Sequence, residues 1–118
     1  MDEFSLPNLP MLQPRPTDGH KGTFGTVGII GGSIGSTDDL RARMIGAPAL
    51  AAMSANRSGC GLVKIGAPES ILNAVLTLAP MATGYPIIGD GTAVLDRLAS
   101  ESDTLIVGPG LGTTECIE

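Results

Sequence analysis

Short apolar runs alternate with longer amphipathic segments along the chain, and this alternation indicates an α/β fold. The runs at residues 27–30, 62–65 and 104–107 are bounded by glycine or polar residues, as is typical of buried strands in a parallel sheet. A weaker strand is predicted around residues 82–88. Because helical segments separate these strands, we expect their pairing to be mainly parallel, with helices crossing over the faces of the sheet.

The segments between the strands have the spacing of amphipathic helices. Ala47, Ala51 and Ala55 recur at every fourth position, so we expect this small-residue face to lie close to the sheet. Gly59 follows the first of these segments and is suited to the left-handed conformation that ends many helices. Helices are predicted over residues 46–57, from 68 to 80, over 92–99 and, at its start only, from 113.

The composition narrows the classes of function. With 7 Lys and Arg against 12 Asp and Glu, the net charge is −5, and the chain has only two Phe and one Tyr. It therefore lacks the basic and stacking surfaces that bind nucleic acids. No apolar run approaches the roughly 18 residues that span a bilayer, and the N-terminus shows no signal-peptide pattern. We therefore expect no membrane partner. Because the two cysteines form no metal-binding or disulfide pattern, we also expect free thiols and a cytoplasmic location.

The N-terminal segment differs in composition from the rest of the chain. Residues 1–19 contain four prolines, which prevent a regular helix, so we predict a proline-rich extended arm there. Residues 20–118 carry the strand and helix patterns and are expected to form the folded unit. Residues 36–45 are mostly polar and charged, which predicts an exposed loop or a turn of helix.

Two polar residues, His20 and Asp90, are of types that can take part in chemistry. His20 is the only histidine and has no candidate partner nearby except Asp18, so we interpret it as a polar residue at the edge of the fold rather than a general acid or base. Asp90 lies between two glycines, which predicts a turn in which Asp90 or Thr92 caps the following helix.

Two of the predicted strands end in glycine clusters, at residues 31–35 and 108–112. Ligands in parallel α/β sheets bind beyond the carboxyl ends of the strands, where glycine lets the backbone approach closely. Tight turns that need glycine for geometry alone explain the clusters equally well. Neither cluster matches the phosphate loop or the dinucleotide-binding fingerprint, so support for a cofactor domain of that type is weak.

Five motifs, taken in their order along the chain, resemble one family. The resemblance is to the N-terminal half of the ADP/ATP-dependent NAD(P)HX dehydratases, within the ribokinase-like superfamily. It implies a three-layer α/β fold with a mainly parallel sheet, of which residues 20–118 are the N-terminal part. The motifs are HKGTFG at 20–25, IGGS at 30–33, GAP at 46–48, RSGCGLV at 57–63 and VGPGLG at 107–112.

The resemblance also implies an activity. Members of this family restore NADH or NADPH from the hydrated forms NADHX and NADPHX. ATP or ADP, with Mg²⁺, phosphorylates the hydroxyl on the nicotinamide ring, and phosphate then leaves as the double bond returns. Family members are usually homotetramers, so a homo-oligomer is implied here as well.

The resemblance assigns substrate contacts but no catalytic residue. Ala47 and Gly110 correspond to family positions that contact NAD(P)HX, and Gly31, Gly32 and Ser33 are implied as neighbours. The family's catalytic aspartate follows a Gly-Thr-Gly motif that these 118 residues do not contain, and its nucleotide-binding region is also absent. We therefore assign no catalytic or metal-binding residue and expect the chain to be inactive alone.

Two other functions remain open from the sequence. A non-catalytic module could bind a dinucleotide through the two glycine turns without any further part. Alternatively, the chain could be a structural piece that contributes strands to a partner.

Overall fold

A four-stranded parallel sheet organises the part of the chain that the computed structural model describes, residues 10–35 and 43–112. A 3-10 turn precedes the first strand, and a small antiparallel pair of two-residue strands lies outside the main sheet. The strands are β1 (Thr26–Ile30), β2 (Ser33–Ile34), β3 (Arg43–Met44), β4 (Leu62–Pro68), β5 (Thr83–Ile87) and β6 (Thr104–Val107), and the helices are α1 (Gly46–Arg57), α2 (Glu69–Leu78) and α3 (Thr92–Glu101).

Strand β1 lies in the interior of the main sheet, whose order is β5-β4-β1-β6. All three strand pairs are parallel, and Ile29 of β1 lies opposite Ile65 of β4 and Ile106 of β6. The β-branched residues of these strands suit a pleated surface that is covered on its faces. The predicted α/β fold with a mainly parallel sheet is confirmed.

Helices cover both faces of the sheet. Helices α1 and α2 lie on one face and pack against each other. Helix α1 covers β1 and β4, and α2 covers β4 and β5. On the opposite face, a Cβ built on Gly66 of β4 would come 2.8 Å from Leu98 and 3.3 Å from Val94, which both belong to α3. The three layers are therefore α1 and α2, the sheet, and α3.

The main core lies between the sheet and the pair formed by α1 and α2. Odd-numbered residues of β1 and β4 point into it, and so do the residues paired with them, Ile106 of β6 and Gly84 of β5, because side chains alternate along a strand. Its fully or nearly fully buried members are Ile29, Ala49, Ala52, Val63, Ile65, Ala67, Ile71, Leu72, Val75 and Ala79.

The predicted contact face of α1 is confirmed in part, because Ala51 and Ala55 are partly buried and pack against the core. The buried residues of α1 are Pro48, Ala49 and Ala52, whereas Ala47 is exposed. Pro48 sits against the glycine turn after β1, where a Cβ built on Gly31 would lie 3.3 Å from the Cβ of Pro48. The helix therefore buries Pro48, Ala49 and Ala52 most deeply, and Ala47 lies on the surface at the first turn.

Strand β6 exists where predicted, but it is not buried in the described part of the chain. Leu105 is 39% exposed and Val107 is 61% exposed. Within residues 10–35 and 43–112, β6 pairs only with β1 and forms the edge of the sheet. An apolar run bounded by glycine predicts a strand, but it does not say how many neighbours that strand has.

The remaining elements agree with the sequence predictions, with small differences at their ends. The weak strand is β5, and β4 continues three residues beyond the predicted run, to Pro68. Gly59 follows α1 with a φ of 101°, which is the predicted left-handed conformation. Of the predicted loop at 36–45, residues 43 and 44 form β3 and residues 36–42 lie outside the described residues, as does the helix start at 113.

The described part of the N-terminal segment, residues 10–20, contains neither helix nor strand. Arg15 donates a hydrogen bond to the carbonyl oxygen of Gly59 at 3.0 Å and stacks its guanidinium 3.7 Å from the ring centre of Phe24. Cys60 is a free, half-buried thiol whose pKa is raised by burial. None of the described helices has the length and apolar character needed to cross a membrane.

Candidate functional site

The path of the chain through the sheet marks one position where a ligand can bind. From β1 the chain proceeds through β4 to β5 on one side, and it then returns to β6 on the other side of β1. The connecting helices change face at the same point, because α1 and α2 lie on one face and α3 on the other. The carboxyl ends of β1 and β6 therefore flank a topological switch point, which is where ligands bind in open α/β sheets.

The two glycine clusters follow β1 and β6 and contact each other at this point. The backbone N–H of Gly32 donates to the carbonyl oxygen of Pro109 at 2.8 Å. A Cβ built on Gly31 would come 2.4 Å from that same oxygen, a distance that real Cβ atoms do not reach. Glycine is thus required at residue 31 for the two turns to approach each other.

Ala47 lies beside the second of these turns. A Cβ built on Gly110 would lie 3.4 Å from the Cβ of Ala47 and 3.2 Å from the Cβ of Met44. Gly110 has a φ of 68°, a left-handed conformation that favours glycine, and is half-buried, while Ala47 is exposed. The small side chain of Ala47 leaves the backbone of the turn open to a bulky ligand.

Ser33 directs a buried hydroxyl towards the same turn. The residue is only 4% exposed, and its Oγ has no hydrogen-bond partner among the described residues. A Cβ built on Gly112 would lie 3.1 Å from this Oγ. A buried polar group without a partner costs about 1–3 kcal/mol, and Ser102 has such a hydroxyl as well, away from this turn.

All five residues that the resemblance assigned to the substrate therefore lie in one cluster. Gly31, Gly32 and Ser33 are buried beneath neighbouring backbone and the first turn of α1, whereas Gly110 and Ala47 reach the surface. The geometry gives the first three a role in shaping the site. Substrate contact by any of the five stays a prediction.

The other polar residues singled out from the sequence lie away from this cluster. His20 precedes the 3-10 turn before β1, at the amino end of the sheet, where its Nδ1 accepts from the backbone N–H of Gly22 at 3.1 Å. The Asp90 carboxylate accepts from the backbone N–H of Thr92 at 3.0 Å, which holds the pKa of that carboxyl below its usual range. The predicted turn at residues 89–91 is confirmed, but the predicted capping residue was wrong: Gly91 is the N-cap of α3 and no side chain caps that helix.

Two cavities were not predicted from the sequence. One, of about 540 Å³, lies at the amino end of the sheet between the N-terminal segment and α1, with Phe24 and Ile106 among its walls. The other, of about 400 Å³, lies at the carboxyl ends of β4 and β5 and is lined chiefly by Ile34, Pro68, Glu69, Ile87 and Ile88. No sequence pattern pointed to the second, since Glu69 comes too late along the chain for the dinucleotide fingerprint and begins a helix.

Comparison with known proteins places the chain in a family. Residues 27–118 match the family model described as NAD(P)H-hydrate dehydratase. The chain belongs to the NAD(P)H-hydrate dehydratase family. The predicted ribokinase-like fold is confirmed by a ribokinase-like superfamily protein from Enterococcus faecalis, with a TM-score of 0.70 and 26% identity over 88% of this chain and 33% of that one.

Several relatives within the family are ADP- or ATP-dependent by name. An ADP-dependent (S)-NAD(P)H-hydrate dehydratase from Neisseria meningitidis is 42% identical over 105 residues, which is 87% of this chain and 30% of that protein. A Bacillus subtilis ADP/ATP-dependent NAD(P)H-hydrate dehydratase, co-crystallised with ATP/Mg²⁺, superposes with a TM-score of 0.63 at 33% identity, covering 90% of this chain and 35% of that one. Among the first curated relatives it matches, the chain spans 19–36% of their length.

Proposed function

We propose that this chain forms part of an ADP- or ATP-dependent enzyme that dehydrates NADHX and NADPHX back to NADH and NADPH. The observation that carries the proposal is the contact between the two glycine turns at the switch point, in a chain of this family. Gly110 and Ala47 provide open backbone and a small side chain at this surface, beside Met44. A nicotinamide nucleotide can lie directly against such a surface.

Each residue of the cluster has a distinct part in this proposal. Gly110 and Ala47 contact the substrate, since they are the members of the cluster that reach the surface. Gly31 and Gly32 allow the two turns to meet, and Ser33 offers a hydroxyl next to Gly112. These residues bind and orient the substrate, which lowers the entropy cost of any later chemical step.

The phosphoryl donor and Mg²⁺ are proposed for the complete enzyme, because relatives are named for ATP or ADP and one was co-crystallised with ATP/Mg²⁺. When bound, the donor supplies the phosphoryl group. Residues 10–35 and 43–112 contain no group of three or more metal-ligating side chains, so they do not fit a metal site of that kind. We assign these residues to substrate binding and no described residue to the transfer itself.

The experiment that tests the proposal places a bulky side chain beside Gly110. Ala47→Phe leaves the core unchanged because Ala47 is exposed, but it fills the space in front of the turn. We expect NADH affinity, measured by calorimetry, to fall by about tenfold or more, as a blocked contact surface costs at least ~1.4 kcal/mol. Ala99→Phe is the matched control, an exposed alanine on α3, and should leave NADH affinity unchanged.

Two outcomes count against the proposal. Undetectable binding of NADH and NADPH by the unmodified chain contradicts a substrate site in these residues. Equal affinity of the Ala47→Phe and Ala99→Phe variants places any binding elsewhere.

Measurements of turnover test two further points. ATP-dependent recovery of NADH from NADHX by the 118-residue chain alone would contradict our expectation that it lacks turnover. Tight binding without turnover in the complete protein would favour a non-catalytic module.

We infer further that residues 20–118 are the N-terminal part of the dehydratase domain, with residues 1–19 as an arm before it. For the complete enzyme we propose a homotetramer in the cytoplasm. Light scattering on the purified enzyme and fractionation of the source cells test these two points.

A further inference from the structure

One large side chain borders the open end of the candidate site. A Cβ built on Gly110 would lie 3.2 Å from the Cβ of Met44 and 3.4 Å from the Cβ of Ala47, and its three nearest atoms all belong to these two residues. Met44 is 45% exposed, so nearly half of its surface is free to contact a ligand. The turn at Gly110 thus has one small side chain and one large, flexible side chain as its neighbours.

The backbone of Met44 lies next to both glycine turns. Its carbonyl oxygen would be 3.2 Å from a Cβ built on Gly32 and 3.4 Å from one built on Gly110. Met44 also pairs with Ser33 in the antiparallel pair of β2 and β3. Because these contacts fix its backbone, the Met44 side chain starts from a defined position, and only its own rotamers are left to be ordered when a ligand binds.

The chemistry of methionine suits contact with a flat ring. Its side chain is unbranched and has a polarizable thioether, so it adapts to the shape of the group that lies against it. Dispersion contacts of this kind are weak one by one but add up over the face of a ring. Methionine carries no charge and has no strong donor, so Met44 can contribute to binding and orientation but not to proton or phosphoryl transfer.

The reacting ring is the part of the substrate that gains most from a rigid support, because a reacting group must be held in a fixed orientation. The two glycine turns provide such a support. The hydrogen bond from Gly32 to Pro109, at 2.8 Å, and the close approach at Gly31 hold them together. This junction therefore suits the nicotinamide end of the substrate better than its adenosine end.

On the basis of the proposed function, we propose that Met44 is a further substrate-binding residue, whose side chain packs against the nicotinamide ring at Gly110. The ring covers the part of Met44 that is exposed in the free chain. Ala47, on the first turn of α1, leaves room for the ring beside the turn. Met44 thus acts on affinity and ring orientation through apolar contact.

Calorimetry with reduced nicotinamide mononucleotide tests the proposal, because this ligand has the ring but no adenosine. Met44→Ala should weaken its binding by about three- to tenfold, since the variant lacks apolar surface that the ring would cover. Met44→Leu, which keeps a side chain of similar volume, should bind within about twofold of the unmodified chain. Met81→Ala is the matched control, because Met81 is 43% exposed and lies between α2 and β5, and it should leave the affinity unchanged.

A measurement on the unmodified chain does not depend on how the variants fold. In NMR titrations with isotope-labelled methionine methyl groups, reduced nicotinamide mononucleotide should shift the methyl signal of Met44 and leave that of Met81 in place. The same titration should shift the amide signal of Gly110. Adenosine monophosphate, which lacks the nicotinamide ring, should shift the Met44 signal less.

The outcomes distinguish this inference from the proposed function. If the nicotinamide ligand shifts Gly110 but not the Met44 methyl signal, or if Met44→Ala and Met81→Ala bind it equally, the role of Met44 is overturned and the proposed function stands. A larger shift of Met44 with adenosine monophosphate also overturns the inference, because the adenosine end would then lie there. If neither the nicotinamide ligand nor NADH binds, the proposed function fails and this inference fails with it.

Discussion

Residue 31 is glycine, and the absence of a Cβ there allows the turn after β1 to contact the turn after β6. The sequence shows glycine at many positions but does not show which of them need it. Gly31 would place a Cβ 2.4 Å from the backbone oxygen of Pro109, whereas a Cβ on Gly46 would meet nothing within 4 Å. The difference arises because Pro109 is far from Gly31 in sequence, so no local pattern contains this contact.

These two glycines give a matched pair of variants. Gly31→Ala should lower the free energy of unfolding by about 1–3 kcal/mol, because the added carbon overlaps backbone that cannot move aside easily. Gly46→Ala should leave it unchanged or raise it by up to about 1 kcal/mol, since alanine favours the helix that begins there. Urea denaturation measures both. Equal effects of the two substitutions would show that the turns do not meet as described.

A small group of polar and charged side chains links helix α3 to the sheet. Glu101 near its end accepts from Lys64 of β4 and from Arg97 one turn earlier, and Arg97 stacks 4.7 Å from the ring centre of Tyr85. The predicted helix ended at residue 99, so Glu101 was outside it and the group was missed. Its members come from three separate elements, which only the pairing of β4 and β5 brings together.

The Glu101 group predicts a dependence of stability on acid. The Lys64 and Arg97 hydrogen bonds hold the pKa of Glu101 below its usual value in the folded state. A group with a lowered folded pKa stabilises the protein above its unfolded pKa and loses that contribution as the pH falls through the folded pKa.

The Glu101→Gln variant tests this dependence. It should melt at a lower temperature than the unmodified chain at neutral pH, and the difference should disappear in acid, below the ordinary range of glutamate. Calorimetric melting at several pH values measures it. A difference that stays constant down to strong acid would mean that Glu101 acts through packing rather than charge.

At the scale of the whole molecule, strand order decides what the glycine turns can do. The same turns at the ends of two distant strands would serve only as tight connections, but β1 and β6 are neighbours at the switch point. The same order leaves β6 at the edge of the described sheet with Leu105 and Val107 exposed. An exposed apolar edge strand is a surface for pairing with another chain.

The exposed edge predicts concentration-dependent self-association of the 118-residue chain. Val107→Lys should reduce this association, because a charge on an edge strand disfavours pairing with a second chain. Leu50→Lys is the control, since Leu50 is similarly exposed, at 63%, but lies on α1. Sedimentation at several concentrations measures both variants. Equal reductions would point to general surface charge rather than to the edge of β6.

Local sequence patterns determined the kind and order of the elements, the α/β class and the position of both glycine turns. Runs such as 62–65 and signals such as Gly59 depend only on residues close in the chain, so they can be interpreted without a structure. Tertiary structure alone decided which face of α1 is buried, that β6 lies at an edge, and that Glu69 borders a cavity beside the candidate site. The physical reason is that each of these depends on contacts between distant segments, such as Pro48 with the turn at Gly31, whose geometry no nearby residue specifies.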